Sequence, residues 1–288
     1  HMAADVPQLI RRILQSRLLP VVVFLGGCLL SLGAWWLVRI EIERGDQARF
    51  DRMVERITAS IMDRFDSAAE ALQGAQYLVR VRPDITLTEW LDYTASLEGY
   101  LQRGVVGMGY VQRIARTEVP ALEARLRAGP VKDVTIQRDS PHDELYVVTH
   151  IGPLARNRAA LGQDVGSGVT RRSAADQAMT TGRLALSRRI RLVHDDETVP
   201  GFLLFLPVYA GPERDPGTPG DRARALQGWV YVSLRTGLLM TGISDITSRQ
   251  ADLRVFQGEA PSPETLLYDS QQGTMFEGRS EEHTSELQ

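Results

Sequence analysis

Cysteine is almost absent. Cys28 is the only one in 288 residues, which excludes an intrachain disulfide and leaves the redox compartment open. It sits in an apolar run and reads as inert packing. An excess of positive charge is also lacking, since 33 Lys and Arg stand against 36 Asp and Glu, a net charge of −3. With no basic patch interleaved with aromatics, this argues against a nucleic-acid partner. Catalytic signatures are missing. The chain has no Gly-x-Ser-x-Gly elbow, no Walker loop and no dinucleotide fingerprint, and Gly107-Met108-Gly109 alone is too short to count. No nucleophile–base set can be assembled, so no catalytic residue is assigned. His142-Asp143-Glu144 and His194-Asp195-Asp196-Glu197 lack the helical spacing of a zinc site and read as solvated turns. No metal and no cofactor is expected. There is no internal repeat.

What is present begins with a membrane signal. The composition, 43% hydrophobic and 24% charged, is that of a globular protein, and the length suggests about two structural units. Leu18 to Val38 carries no charge. At ~1.5 Å per residue it extends about 31 Å, enough to cross a bilayer core. Trp35 and Trp36 fall near one end, where interfacial aromatics belong. The run is too long for a signal-peptide core and no Ala-x-Ala follows it. Arg11, Arg12 and Arg17 precede the span, against Arg39 and Arg44 after it. That bias favours a cytoplasmic N-terminus (1–17), a transmembrane helix (18–38) and an outward-facing remainder.

Ile40 to Val81 contains no proline, and Pro83 ends the stretch. Phe50, Val54, Ile57, Ile61, Phe65, Ala68, Leu72 and Ala75 recur at steps of three and four, one apolar stripe on a long stalk helix (39–82). Such a stripe can pack on its own domain above and pair with a second chain below, which predicts a homodimer. Beyond Pro83 the pattern is mixed. Helices are expected at Thr88–Leu101, Thr117–Ala128 and Arg171–Thr181, the last closed by Gly182. Strands are expected at Val105–Ile114, Val134–Arg138, Leu145–Ile151, Leu184–Leu192, Phe202–Tyr209, Gln227–Leu234, Ala251–Gln257 and Leu266–Asp269. Ala210–Leu226 reads as an exposed loop. His150 reads as core or pocket lining. The fold class is α+β.

Tyr146 to Arg235 carries Gly152-Pro153-Leu154, Asn157, Ala160-Leu161-Gly162-Gln163-Asp164-Val165, Thr181-Gly182, Gly201-Phe202, Leu206-Pro207-Val208-Tyr209 and Gly228-Trp229-Val230-Tyr231. This order and spacing resembles the CHASE family, the cyclase/histidine-kinase-associated sensing extracellular domains. The resemblance covers about Tyr100 to Asp269. It implies a stalk helix followed by two PAS-like subdomains with antiparallel sheets, a membrane-distal ligand-binding one (83–225) and a membrane-proximal one (226–278). It also implies a receptor in the cell inner membrane, its sensor periplasmic or extracellular. The output would be a histidine kinase or diguanylate cyclase that this chain does not include. Arg279 to Gln288 is similar to the translation of a common sequencing adapter, which places the cut in the natural frame near Gly278.

The resemblance also assigns candidate ligand-binding residues. Asp164 matches the aspartate that accepts adenine N–H groups in plant cytokinin receptors; its alternative role is to fix the Gly162–Gly168 turn through backbone N–H groups. Leu186 lies four residues after Gly182, as in those receptors. On the strand Leu184–Leu192, Leu186, Arg188, Ile190 and Leu192 share one face, and if that face meets the ligand, Arg188 would favour an anion such as a carboxylate or phosphate. Phe202, Leu204 and Leu206, or Leu203 and Phe205, would supply apolar wall. Phe205 is bulkier than the plant residue there, and Gly152 replaces an acid often found before Pro-Leu. Tyr146 completes the set. The expected partner is a small molecule, adenine-like or anionic. A membrane-tethered enzyme and a dimerisation module without ligand are the alternatives.

Overall fold

The computed structural model describes residues 19–97, 99, 104–194, 197–211, 215–241, 254–256, 261–262 and 265–269. The N-terminal 1–17, the acidic pair Asp195-Asp196 and the adapter-like 279–288 lie outside the described residues. Contacts divide the chain into two units, His1–Thr58 and Ala59–Gln288. Helix α1 is Leu19–Val81. Its only proline, Pro20, falls in the first turn, where the missing N–H costs nothing.

In the first unit, Pro20–Arg39 is long and apolar enough to cross a membrane. Phe24, Leu30 and Trp36 along it are exposed. In the second unit, the α1 stripe is buried at Ala68, Leu72, Ala75 and Val79, steps of three and four on one face.

Helix α2 (Leu87–Ser96) starts at a reciprocal cap. Thr86 Oγ1 accepts from the Glu89 amide at 3.3 Å, and Glu89 Oε2 accepts from the Thr86 amide at 2.8 Å. Then come β1 (Val105–Ala115), α3 (Val119–Ala128), β2 (Glu144–Gly152), the single turn α4 (Leu154–Asn157) and α5 (Val169–Thr181). Gly182 ends α5 at φ 70°, the left-handed cap that glycine adopts without a Cβ clash. Strands β3 (Ala185–Leu186), β4 (Ile190–His194) and β5 (Glu197–Tyr209), helix α6 (Pro219–Ala225), strand β6 (Leu226–Arg235) and helix α7 (Thr236–Met240) follow. A separate pair, β7 (Arg254–Phe256) and β8 (Leu266–Asp269), is antiparallel.

The main sheet is antiparallel, in the order β2-β1-β6-β5-β3, with β4 also paired to β5. Leu226–Arg235, where a second subdomain was expected to begin, therefore lies in the middle of the first sheet. Its backbone is hydrogen-bonded on both sides, so no subdomain boundary can fall between it and β5. Val134–Arg138 forms no strand. Val134 and Ile136 are still buried, and the Gln137 amide bonds the Gly162 carbonyl at 3.1 Å.

Period-2 alternation divides the sheet into two apolar faces. Met108, Tyr110, Phe202, Leu204, Leu206, Val230, Val232 and Leu234 cluster with the α1 stripe and Trp90. Val111, Leu203, Phe205, Trp229 and Tyr231 cluster with α3, α5 and β2. Phe202 and Phe205 are each enclosed on opposite faces, a burial worth roughly 2–3 kcal/mol apiece.

Candidate functional site

Between the second face of the sheet and the segment that follows β2 lies a cavity of about 70 Å³. The sheet contributes Val106, Leu203, Tyr231 and Ser233; β2 contributes Val148 and Ile151. Asn157, Ala160, Gln163 and Val165 come from the connection, Arg171 from α5, and Ile190, Arg191 and Leu192 from β4. The lining is mostly apolar with a few polar groups, the usual constitution of a small-molecule site.

Local sequence explains the space. Gly107 and Gly109 alternate on β1. A Cβ on Gly109 would stand 2.5 Å from Tyr231 Cε1, and one on Gly107 would stand 2.9 Å from Ser233 Oγ and 3.0 Å from Asn157 Oδ1. The Gly107-Met108-Gly109 triplet therefore admits the Tyr231 ring and the Asn157–Ser233 pair. Helix α5 is fastened over the sheet by two bonds from aromatic side chains. Trp229 Nε1 donates to the Ala175 carbonyl at 2.8 Å, and the Tyr209 hydroxyl donates to the Met179 carbonyl at 2.6 Å. These bonds fix where Arg171 stands at the start of α5.

The polar groups differ in how far they are already used. Asn157 Nδ2 donates to the Val106 carbonyl at 2.9 Å and the Pro153 carbonyl at 3.0 Å. Gln163 Nε2 donates to the Ala159 carbonyl at 2.8 Å, and Ser233 Oγ to the Gly107 carbonyl at 3.3 Å. Among the described residues Arg171 has no hydrogen-bond or ion-pair partner, and the Tyr231 hydroxyl has none either. Burial pushes the Tyr231 phenol up from its ordinary value, with Arg171 close enough to oppose the shift in part. The phenol is thus a protonated donor at neutral pH.

The expected site residues fall elsewhere. Asp164 is buried, and its Oδ1 accepts from the Tyr146 amide at 2.8 Å and the Gly166 amide at 2.9 Å. This is the turn-fixing role, and it ties β2 to the short turn Val165–Ser167. Oδ2 is buried without a partner among the described residues. The neighbours Gln163 and Val165 line the cavity; Asp164 does not. Tyr146 meets Trp229 in a tilted ring contact at 4.4 Å, carries the Arg172 guanidinium over its ring at 4.2 Å, and donates to Asp176 Oδ1 at 2.7 Å. Burial, with Asp176 adding to it, pushes this phenol up. Phe205 shares the cavity face but sits beneath the lining, its ring 5.9 Å from that of Tyr231.

Leu186 and Arg188 lie outside the cavity, for a single reason. Leu186 pairs with Leu204, and Ile190 pairs with Gly201. Four steps on one strand match three on the other, so one extra residue is inserted at Ser187–Arg189. An inserted residue reverses the alternation. Leu186 therefore packs with the α1-side cluster, while Ile190 and Leu192 line the cavity. Arg188 is exposed in the break. Ser187 Oγ holds the break by accepting from the Leu203 amide at 2.9 Å. Arg171 and Tyr231 were not singled out from the sequence, although Tyr231 belongs to the Gly228-Trp229-Val230-Tyr231 motif that carries the resemblance.

A partly open, partly polar cavity in an α+β module is the kind of site that a sensing domain requires. The CHASE domain family matches residues 83–268, and the chain belongs to it. The matched region is accordingly an extracellular sensing input domain, sensory rather than catalytic. Two solved structures are similar at low identity. One is an extracellular ligand binding receptor from Desulfohalobium retbaense DSM5692, with 13% identity and a TM-score of 0.48, covering 76% of this chain and 31% of that one. The other is methyl-accepting chemotaxis protein X, with 14% identity and a TM-score of 0.43, covering 78% of each chain. The chain thus spans about a third of the length of the first. No curated protein matches.

Proposed function

We propose that this chain is the input region of a transmembrane receptor that binds a small molecule in the sheet–α5 cavity and reports it to a histidine kinase or diguanylate cyclase. The observation that carries the reading is the cavity, which lies within the family match and is bordered by an arginine and a buried phenol with unused donors. The antiparallel sheet with helices on its cavity face supports a PAS-like ligand-binding subdomain that includes β6. The apolar helix and the arginines before it support anchoring in the inner membrane with the sensor outside.

Arg171 and Tyr231 contact the ligand, with Leu203 as apolar floor. Asp164 and Tyr146 brace the β2 side and Phe205 lies under the floor. Of the two expected ligand chemistries, the free donors support an anion over an adenine-like ring, because Asp164 gives Oδ1 to backbone and does not line the cavity. Two chains associate through the lower stalk. Ligand can shift the receptor only by binding one of two arrangements more tightly.

The test is thermal unfolding of the full chain in lipid nanodiscs against neutral, cationic and anionic small molecules. A ligand at a hundredfold excess over its Kd adds about 2.7 kcal/mol of stability. Ala160→Phe, which fills the cavity from a partly buried position, abolishes that gain. Asp164→Asn lowers the unmodified melting temperature but keeps the ligand-induced gain. Absence of any gain in all three classes would sink the sensor reading in favour of a dimerisation module without ligand.

A further inference from the structure

The chemistry of the cavity narrows what is sensed. The neutral donors are largely committed, since the Asn157 amide donates twice, and the Gln163 amide and the Ser233 hydroxyl once each, to backbone carbonyls. Beside the second Gln163 N–H, the donors left are the Arg171 guanidinium and the Tyr231 hydroxyl, and of these the guanidinium alone carries charge. No Asp or Glu lines the cavity, so among the described residues nothing there neutralises Arg171. A half-buried arginine without a counter-charge is costly unless an anion arrives. The guanidinium is a planar fork that matches a carboxylate with two parallel bonds. Arg191 also borders the cavity, but it alternates with Ile190 and Leu192 on β4 and its side chain is exposed.

Size and lining decide which anion. The cavity holds about 70 Å³, about half the roughly 150 Å³ that takes a benzene ring. A fused bicycle such as adenine is larger than benzene and would have to extend beyond the cavity, whereas a short acid fits within it. The remaining wall, Val148, Ile151, Ile190, Leu192 and Leu203, is hydrocarbon. An all-polar anion such as inorganic phosphate would leave oxygens facing that wall without partners, which is penalised. One cationic group balances one negative charge.

We infer that the ligand is a small monocarboxylate of the size of acetate, propionate or lactate. Its carboxylate sits between Arg171 and the Tyr231 hydroxyl, and its short tail packs on the aliphatic wall. This rests on the sensor reading above and adds the ligand class.

The experiment is isothermal titration of the full chain in nanodiscs with acetate, propionate, lactate and pyruvate. The uncharged isosteres acetamide and propionamide, inorganic phosphate, and a panel of small neutral and cationic amines run alongside. At least one carboxylate is expected to bind, with its amide isostere and phosphate at least tenfold weaker. Arg171→Gln raises the Kd by about tenfold or more, the usual loss for a charge-assisted bond. Tyr231→Phe, which keeps the ring and its packing, raises it about fivefold. Without ligand, Arg171→Gln should melt no lower than the parent, since it removes an uncompensated charge, and Tyr231→Phe should melt close to it. Equal binding of acid and amide, preference for phosphate, or binding of carboxylate undiminished in Arg171→Gln would overturn the inference. Tight binding of an amine or neutral compound that Ala160→Phe blocks would overturn it while leaving the sensor reading intact. Silence across the whole panel would count against both.

Discussion

His150 shows how a single side chain is set by its surroundings. Its Nε2 lies 2.9 Å from the Ile85 carbonyl and its Nδ1 2.9 Å from Thr149 Oγ1, with the Trp90 and Tyr110 rings 5.8 and 5.9 Å away. Burial, reinforced by Arg125 and opposed by the Ile85 bond, lowers its pKa to about 4. Between pH 6.5 and 4 the unfolded chain therefore binds more protons than the folded one, and stability falls as pH falls. At ~1.4 kcal/mol per pKa unit the loss reaches about 3 kcal/mol by pH 4. Denaturant unfolding at pH 7 and pH 4.5 should show this slope in the parent and a shallower one in His150→Gln. Equal slopes would refute the assignment. The strand position of His150 was legible in the sequence. Its neutral state was not, because the atoms that desolvate it come from Trp90 and Tyr110, distant in the chain.

At the scale of elements, α2 and the end of β2 approach each other closely. A Cβ on Gly152 would stand 2.1 Å from Thr94 Oγ1, so the acid often found before Pro-Leu has no room here. Gly152→Ala should cost about 1–3 kcal/mol through overpacking. Thr94→Ala in the same chain should restore part of it, as a double-mutant cycle of melting temperatures will show. If the two losses simply add, the clash is not the cause. The break at Ser187–Arg189 is the counterpart lesson. Leu-Ser-Arg-Arg-Ile contains neither glycine nor proline to announce an irregularity, so the alternation reads as one strand. The extra residue exists only in the pairing with β5, and it moves Ile190 and Leu192 to the cavity face and Leu186 away from it.

At the scale of the whole molecule, the receptor reading proposes association through the stalk. In the first unit, Phe50 and Val54, one turn apart on α1, are exposed at 51% and 44%. That is ample apolar surface for a helix of a second copy. Val54→Asp would place an unpaired carboxylate in that contact and should raise the dimer dissociation constant at least tenfold. Cross-linking and light scattering in nanodiscs or detergent will measure it, and an unchanged mass distribution would remove the lower stalk from the interface. The CHASE membership and the α+β class follow from motifs and periodicity that any fold of this chain must satisfy. So do the apolar span, the long helix with its stripe, and the Gly182 cap, because each is fixed by residues within a few turns of one another. Which face of the sheet holds the cavity, the placement of β6 between β1 and β5, and the presence of Arg171 and Tyr231 on one cavity were decided only by tertiary structure. They depend on one inserted residue and on strand pairings such as Val105 with Leu234, and such long-range pairing leaves no local trace in the chain.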